Sequence, residues 1–161
     1  MSQGSNAWHN GDDFENLVKD YLINLNYKIE KFTYKSLDHN KRERPLDIYL
    51  RSPEVAIECK SYEAWGSKVQ NYCWDLQNAA KCIPCKRYYA IWNFHDKTGK
   101  IQKCFEVAKE MAKELSGQYN KDIEVVTWNE FRDISSDGFT IKKKVWKTLF
   151  EQMASRISGN G

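Results

Sequence analysis

Residues 45–60 read P-L-D-I-Y-L-R-S-P-E-V-A-I-E-C-K and decide the fold of this chain. Apolar and polar residues alternate with a period of two on both sides of Ser52-Pro53, a pattern that predicts a β-hairpin. If Ser52-Pro53 forms the connection, residues equally distant from it lie opposite each other on the two strands. The pairs predicted to face each other are Arg51 with Glu54, Tyr49 with Ala56, and Asp47 with Glu58.

The pairing of Asp47 with Glu58 places two carboxylates on one face of the hairpin. Directly opposed residues have Cβ atoms roughly 4.5–5.5 Å apart, and like charges at that distance are destabilising. A divalent cation such as Mg²⁺, which takes oxygen ligands and keeps several waters, would compensate them. The alternative is a solvated ladder of salt bridges that includes Lys60, in which each surface pair is worth only about 0–1 kcal/mol.

A cation at this position would support phosphoryl chemistry. A bound divalent ion polarises a phosphoryl oxygen and lowers the pKa of an attacking water. Lys60, on the same strand face, would either favour hydroxide as a base or neutralise charge that develops in the transition state. The sequence leaves both roles of Lys60 open.

The bulk composition fits one globular domain that spans residues 1–161. The chain has 41% apolar residues, 29% charged residues and a mean hydropathy of −0.75. No apolar run approaches the roughly 18–20 residues that cross a bilayer, and the first ten residues lack the pattern of a secretory signal. These features predict a cytoplasmic protein without a membrane partner. The net charge of +3 only weakly favours binding to polyanions.

Cysteine usage favours reduced thiols over a disulfide framework. The chain has five cysteines, an odd number, and no recognisable signal peptide. Cys82 and Cys85 have the spacing of a zinc knuckle, but a structural zinc site usually needs a second pair, which the sequence lacks.

Hydrophobic periodicity along the chain predicts the element order α-β-β-β-α-β-α-β-α. Strands that alternate with helices after a hairpin predict an α/β fold in which helices flank a mixed central β-sheet. The predicted helices are 12–26, 67–81, 101–115 and a terminal helix at about 139–157. The predicted strands are 27–34, the two halves of the hairpin, 87–94 and 123–128, and 35–44 is predicted as a charged loop.

The hairpin residues and this element order resemble the PD-(D/E)xK nuclease superfamily, the restriction-endonuclease-like fold with an αβββαβ core. The motif corresponds to Pro45-Leu46-Asp47 and Glu58-Cys59-Lys60. The resemblance covers about residues 11–134 and is closest to Mrr-type restriction endonucleases. The archaeal Holliday-junction resolvases are related members of the same superfamily. It implies that Asp47 and Glu58 bind Mg²⁺ or Mn²⁺ and that Lys60 assists the attacking water.

The resemblance also implies two auxiliary residues. Glu15 is similar to the acid that the first helix of these nucleases contributes to the metal or its water. An alternative is a capping box, in which Glu15 returns to an N-cap at Asp12. Gln77 matches a polar residue that such nucleases often place on the helix after the lysine strand.

Two further groups are predicted to contact nucleic acid. Lys41, Arg42 and Arg44 precede the acidic hairpin and form a basic cluster. Gln70, Trp74, Gln77 and Lys81 share one helical stripe that would meet a phosphate backbone or a splayed base, or would simply face solvent. Trp65 and Trp74 are the tryptophans expected at a substrate or partner surface.

The function expected from these features is a metal-dependent endodeoxyribonuclease. A Holliday-junction or branched-DNA resolvase and an RNA-cleaving relative are alternatives. A non-catalytic nucleic-acid-binding protein on the same fold is an alternative of another class. The expected partners are DNA, a second copy of the chain in a homodimer, and a recognition protein that supplies sequence specificity.

Overall fold

The computed structural model describes residues 11–38 and 40–140, and it shows the predicted α/β architecture. A mixed five-stranded sheet is flanked by helices, as the sequence predicts. In chain order the elements are α1 (Gly11–Asn24), β1 (Ile29–Glu30), β2 (Thr33–Lys35), β3 (Glu43–Pro45), β4 (Ile48–Leu50), β5 (Val55–Tyr62), α2 (Ser67–Gln70), α3 (Tyr72–Lys81), β6 (Arg87–Phe94), α4 (Lys100–Tyr119), β7 (Asp122–Thr127) and α5 (Trp128–Ser136).

The main sheet has the strand order β1-β4-β5-β6-β7. Strands β1, β4 and β5 are antiparallel neighbours, whereas β5, β6 and β7 run parallel. Parallel strands need a crossover connection, and α2 with α3 and then α4 provide these connections. The long strand β5 therefore joins the antiparallel half of the sheet to the parallel half.

The predicted register of the β4–β5 hairpin is confirmed, with Tyr49 opposite Ala56. The connection is longer than predicted, because β4 ends at Leu50 and β5 begins at Val55. Pro53 has no backbone N–H to donate to a ladder, so pairing stops before it. The side chains of Arg51 and Glu54 form hydrogen bonds to other residues. Arg51 Nε donates to Glu30 Oε2 at 2.9 Å, and Glu54 Oε2 accepts from Tyr49 Oη at 2.8 Å.

Helices cover both faces of the sheet. The buried residues of α1 are Phe14, Val18 and Leu22, which recur every four residues and form one helical face. On the opposite face, buried side chains of α3 and α4 pack with Tyr49, Ala56 and Tyr88 in the main hydrophobic core. Since side chains alternate along β5, Glu58 and Lys60 point to this second face together with Ala56.

Three predicted elements differ in detail. The single strand predicted at 27–34 is two strands in separate sheets, and the predicted charged loop 35–44 contains β3, which pairs with β2 in a small two-stranded sheet. The single helix predicted at 67–81 is interrupted at Asn71, between α2 and α3. The sequence prediction also missed α5. The predicted terminal helix lies outside the described residues from position 141 onward.

The chain separates into two units, one that ends at Trp128 and one that begins at Asn129. In the second unit, the turn after α5 contains Gly138 with φ +69° and Phe139 with φ +60°, and the Phe139 ring packs edge-on against Phe131 at 6.0 Å. None of the helices among the described residues is long and apolar enough to cross a membrane.

Candidate active site

Asp47 and Glu58 lie side by side at the start of β4. Asp47 immediately precedes β4, and the confirmed register continues to place it opposite Glu58 in β5. The backbone N–H of Asp47 donates to Glu58 Oε2 at 3.4 Å, and the backbone N–H of Cys59 donates to Asp47 Oδ2 at 2.8 Å. The two strands thus hold both carboxylates in place through backbone donors.

Burial raises the pKa of Glu58 well above its ordinary value. Only 8% of Glu58 is exposed. The charge of Asp47 and a hydrogen bond between the two carboxyl side chains raise the pKa further, and the charge of Lys60 opposes them. The carboxyl pair therefore favours a proton or a cation between its members.

Lys60 forms an ion pair with Asp75 of α3. The distance from Lys60 Nζ to Asp75 Oδ2 is 3.2 Å, and both side chains are about three-quarters buried, with 26% and 29% exposed. Burial alone would lower the pKa of Lys60, but the charges of Asp75 and Glu58 outweigh it and raise the pKa. Sequence reasoning missed Asp75, although it is the single acid between Ser67 and Lys81 on the helices that follow the lysine strand.

These side chains line one open cleft of about 470 Å³. The small β2–β3 sheet supplies one wall, and the residue before β4, the middle of β5 and the first turn of α3 supply the rest. The lining residues are Tyr34, Arg42, Glu43, Arg44, Pro45, Asp47, Glu58, Lys60 and Asp75. The cleft therefore joins the three residues of the predicted motif to two of the predicted basic residues.

Asp38 holds the two arginines of the cleft. Arg44 Nη2 lies 3.0 Å from Asp38 Oδ2, and Arg42 Nε lies 3.6 Å from the same oxygen. The Arg42 side chain remains 70% exposed and Arg44 46% exposed, so both can still meet a ligand. Lys41, the third member of the predicted cluster, is exposed and does not line this cleft; its backbone N–H donates to the Asp38 carbonyl at 2.9 Å.

Tyr34 of β2 is a cleft residue that sequence reasoning did not select. Burial, followed by the charge of Glu58, raises the pKa of its phenol to about 12. The hydroxyl therefore keeps its proton at neutral pH and is a hydrogen-bond donor beside the carboxylates. No signal in the sequence marks Tyr34, because β2 reaches the cleft only through its pairing with β3.

Glu15 lies on α1 and is not among the residues that line the cleft. Its Oε2 accepts a hydrogen bond from Lys19 Nζ at 2.8 Å. The charge of Asp47 is among the causes that raise the pKa of Lys19. The Glu15–Lys19 pair therefore lies near the carboxylate end of the site. Asp12 lies inside α1 rather than at its cap, so the predicted capping box is wrong.

The helical stripe predicted from Gln70 to Lys81 is not continuous, because the break at Asn71 separates Gln70 from the other three residues. Trp74 and Lys81 are exposed on α3, and Gln77 is half-buried. None of these four residues lines the carboxylate cleft. Asn78 reaches the loop between β2 and β3 instead, where its Oδ1 accepts from the backbone N–H of Leu37 at 2.9 Å.

The carboxylate pair suits a hard divalent cation. Mg²⁺ is usually held by one or two carboxylates and completes its shell with waters and substrate oxygens, for which the open cleft leaves space. In the described ranges 11–38 and 40–140, no cluster of three or more His, Cys, Asp or Glu side chains is arranged to hold a metal. Asp47 and Glu58 are the carboxylates that could hold such an ion in this cleft, and waters would complete its shell.

No family model, curated protein or solved structure matches this chain. The function has to be inferred from the chemistry of the cleft. That chemistry combines a carboxyl pair of which Glu58 is buried, a lysine held in its charged form, a phenol donor and two exposed guanidinium groups.

Proposed function

We propose that this protein is a metal-dependent endonuclease that hydrolyses phosphodiester bonds in DNA. The observation that carries the proposal is the placement of Asp47 opposite Glu58, where the Asp47 backbone N–H bonds Glu58 Oε2, with Lys60 on the same face of β5. A solvated salt-bridge ladder accounts less well for this arrangement. Glu58 is buried, and the ion pair that Lys60 forms among the described residues is with Asp75.

The element order supports a place in the PD-(D/E)xK superfamily. If the β2–β3 hairpin is treated as an insertion, the elements of the main sheet and their helices follow as α1, β1, β4, β5, α2–α3 and β6. This is the αβββαβ order of the superfamily core. In that core the motif carboxylates lie on two neighbouring strands, and here Asp47 immediately precedes β4 while Glu58 lies in the neighbouring β5.

A divalent cation bound by Asp47 and Glu58 would supply Lewis-acid activation of the phosphate and of an attacking water. Both carboxyl groups must be ionised to act as ligands, so cation binding would displace the proton that burial favours on Glu58. Glu15 is assigned an indirect role, through Lys19 or a water molecule, because Lys19 already bonds one of its oxygens.

Lys60 is assigned the role of electrostatic stabiliser rather than base. The charges of Asp75 and Glu58 hold its pKa above the ordinary value, so the amine is protonated at neutral pH. A fixed ammonium in a partly buried site stabilises negative charge that develops on the phosphoryl oxygens. Tyr34 would donate to the same phosphate, and Arg42 and Arg44 would contact the neighbouring phosphates.

The test is cleavage of supercoiled plasmid, linear duplex, branched junctions and RNA with Mg²⁺ or Mn²⁺. We expect wild type to cut DNA, and Asp47→Ala and Lys60→Ala to lose about 10²-fold or more in rate. Asp20→Ala, an exposed acid on α1, is the control that should retain activity. The proposal fails if wild type cuts none of these substrates or if both site variants cut as well as Asp20→Ala.

The other candidate functions correspond to different outcomes of the same assay. Preferential cutting of branched junctions would make the protein a resolvase, and cutting of RNA alone would make it a ribonuclease. Tight DNA binding without cleavage in any metal would leave a non-catalytic binding protein. A homodimer is part of the proposal, since cutting both strands in one encounter needs two sites, and sedimentation of the purified protein tests it.

A further inference from the structure

A second pocket, of about 510 Å³, lies on the α2–α4 side of the first unit. The loop after β5, the helices α2 and α3, and the first two turns of α4 form its walls. Its lining residues are Trp65, Gln70, Tyr72, Cys73, Lys100, Lys103, Cys104 and Val107.

The lining is largely aromatic and apolar, and it includes two lysines. Trp65 is 38% exposed and Val107 is 53% exposed, so apolar side chains of the pocket face solvent. Lys100 and Lys103 supply two ammonium groups, and no carboxylate lines the pocket. Within the part of the chain that the structure describes, neither lysine forms an ion pair and the Trp65 ring stacks on no other ring.

The first turn of α3 separates this pocket from the carboxylate cleft. Tyr72 and Cys73 line the pocket, whereas Asp75 lines the cleft and bonds Lys60. A helix rises about 1.5 Å per residue, so Tyr72 and Asp75 are roughly one turn apart along α3. A nucleic-acid strand that crosses this turn would reach both sites with neighbouring nucleotides.

We propose that this pocket binds an unpaired nucleotide of the strand that is cut, an inference that rests on the proposed nuclease function. The base stacks on Trp65, the amide of Gln70 bonds its edge, and Lys100 and Lys103 contact the adjacent phosphates. Because every base has an aromatic face, such a platform accepts unpaired bases with little sequence preference. The substrate class is therefore DNA with an unpaired nucleotide beside the cut, as in a flap, a bubble or a single strand.

An acidic peptide is the rival occupant, and the structure favours the nucleotide. A peptide would account for the lysines. It would not account for the Trp65 indole beside the Gln70 amide, which can both donate and accept hydrogen bonds. The position one helical turn from the carboxylate cleft also fits a continuous strand better than a separate partner.

The first arm of the test measures binding without metal, by fluorescence anisotropy of a labelled single-stranded oligothymidylate in EDTA. We expect Trp65→Ala to weaken binding about tenfold, Trp65→Phe to restore most of it, and Lys103→Gln to weaken it several-fold. Lys113→Gln removes an exposed lysine of α4 outside the pocket and serves as the control. Equal binding by wild type and Trp65→Ala, or tighter binding of a poly-glutamate peptide that Trp65→Ala abolishes, overturns the inference.

The second arm compares cleavage of a flap with cleavage of a matched perfect duplex in Mg²⁺. Trp65→Ala should lower flap cleavage about tenfold relative to duplex cleavage. An equal loss on both substrates overturns the inference while the nuclease function stands. If wild type cuts neither substrate, the nuclease function fails, and the metal-free arm still decides whether the pocket binds single strands.

Discussion

The Lys60 ammonium lies 3.2 Å from the Asp75 carboxylate, which ties the lysine of β5 to the first turn of α3. Glu58 precedes Lys60 by two residues on the same face of the strand and also raises its pKa. One ammonium group thus balances carboxylates from two elements that are far apart in sequence. This balance sets the charge of Lys60. A change at Asp75 therefore tests whether Lys60 acts as a base or as an electrostatic stabiliser, the two roles that the motif leaves open.

Replacement of Asp75 by Asn should lower the pKa of Lys60, because the charge of Asp75 then no longer opposes the effect of burial. If the charged amine is the active form, the alkaline limb of the pH–rate profile moves to lower pH. If the neutral amine were the active base, the same substitution would raise the rate near neutral pH. Asp122→Asn is the matched control, since Asp122 is an equally exposed acid that pairs with Arg87 at 3.8 Å outside the cleft.

Replacement of Glu58 by Gln should stabilise the metal-free protein at neutral and alkaline pH. The raised pKa means that the folded state binds the Glu58 proton more tightly than the unfolded chain. This contribution is complete below the ordinary value of 4.5 and is lost as the pH rises through the raised pKa. In EDTA, the Tm of Glu58→Gln should match that of wild type near pH 4 and exceed it at pH 8.

Saturating Mg²⁺ should reverse that order of stability. A cation that binds only the folded state stabilises wild type, by about 2.7 kcal/mol at a concentration 100 times its Kd. Glu58→Gln has lost one ligand and should gain little. Thermal unfolding with and without Mg²⁺ measures both effects, and an equal Mg²⁺ response of the two proteins would remove Glu58 from the metal site.

Replacement of Arg42 by Gln should weaken DNA binding and reduce its dependence on salt. Each phosphate contact contributes roughly 0.9 to the slope of log K against log salt for duplex DNA, so loss of one contact lowers the slope by about that amount. Arg51→Gln is a close control, because Arg51 is 74% exposed against 70% for Arg42, pairs with Glu30 and lies outside the cleft. Equal slopes for the two variants would contradict a phosphate contact at Arg42.

Replacement of Glu15 by Gln should reduce cleavage less than tenfold, far less than Asp47→Ala. Lys19 bonds one Glu15 oxygen at 2.8 Å, so the residue acts indirectly in the proposed site. Calorimetric titration with Mn²⁺ should give similar affinities for wild type and Glu15→Gln. A loss of metal affinity as large as that of Asp47→Ala would instead make Glu15 a direct ligand, which is one of the two roles that the family resemblance implies.

The strand and helix periodicities predicted most of the main sheet correctly. Residues 87–94 are β6 without change of boundary, and the register of the β4–β5 hairpin follows from alternation on both sides of Ser52-Pro53. Short strands were harder to predict. The β2–β3 sheet has three residues in each strand and exposed side chains at most positions, so no hydrophobic pattern marks it.

The sequence by itself determined the α/β class and the opposition of Asp47 to Glu58, because both depend on local periodicity and on the register of one hairpin. Only the tertiary structure decided which residues join them. Tyr34 and Asp75 enter the cleft through strand pairing and helix packing, and Gln70 leaves the predicted stripe where the helix breaks at Asn71. Contacts of this kind join segments that are distant along the chain, and no periodicity within either segment specifies them.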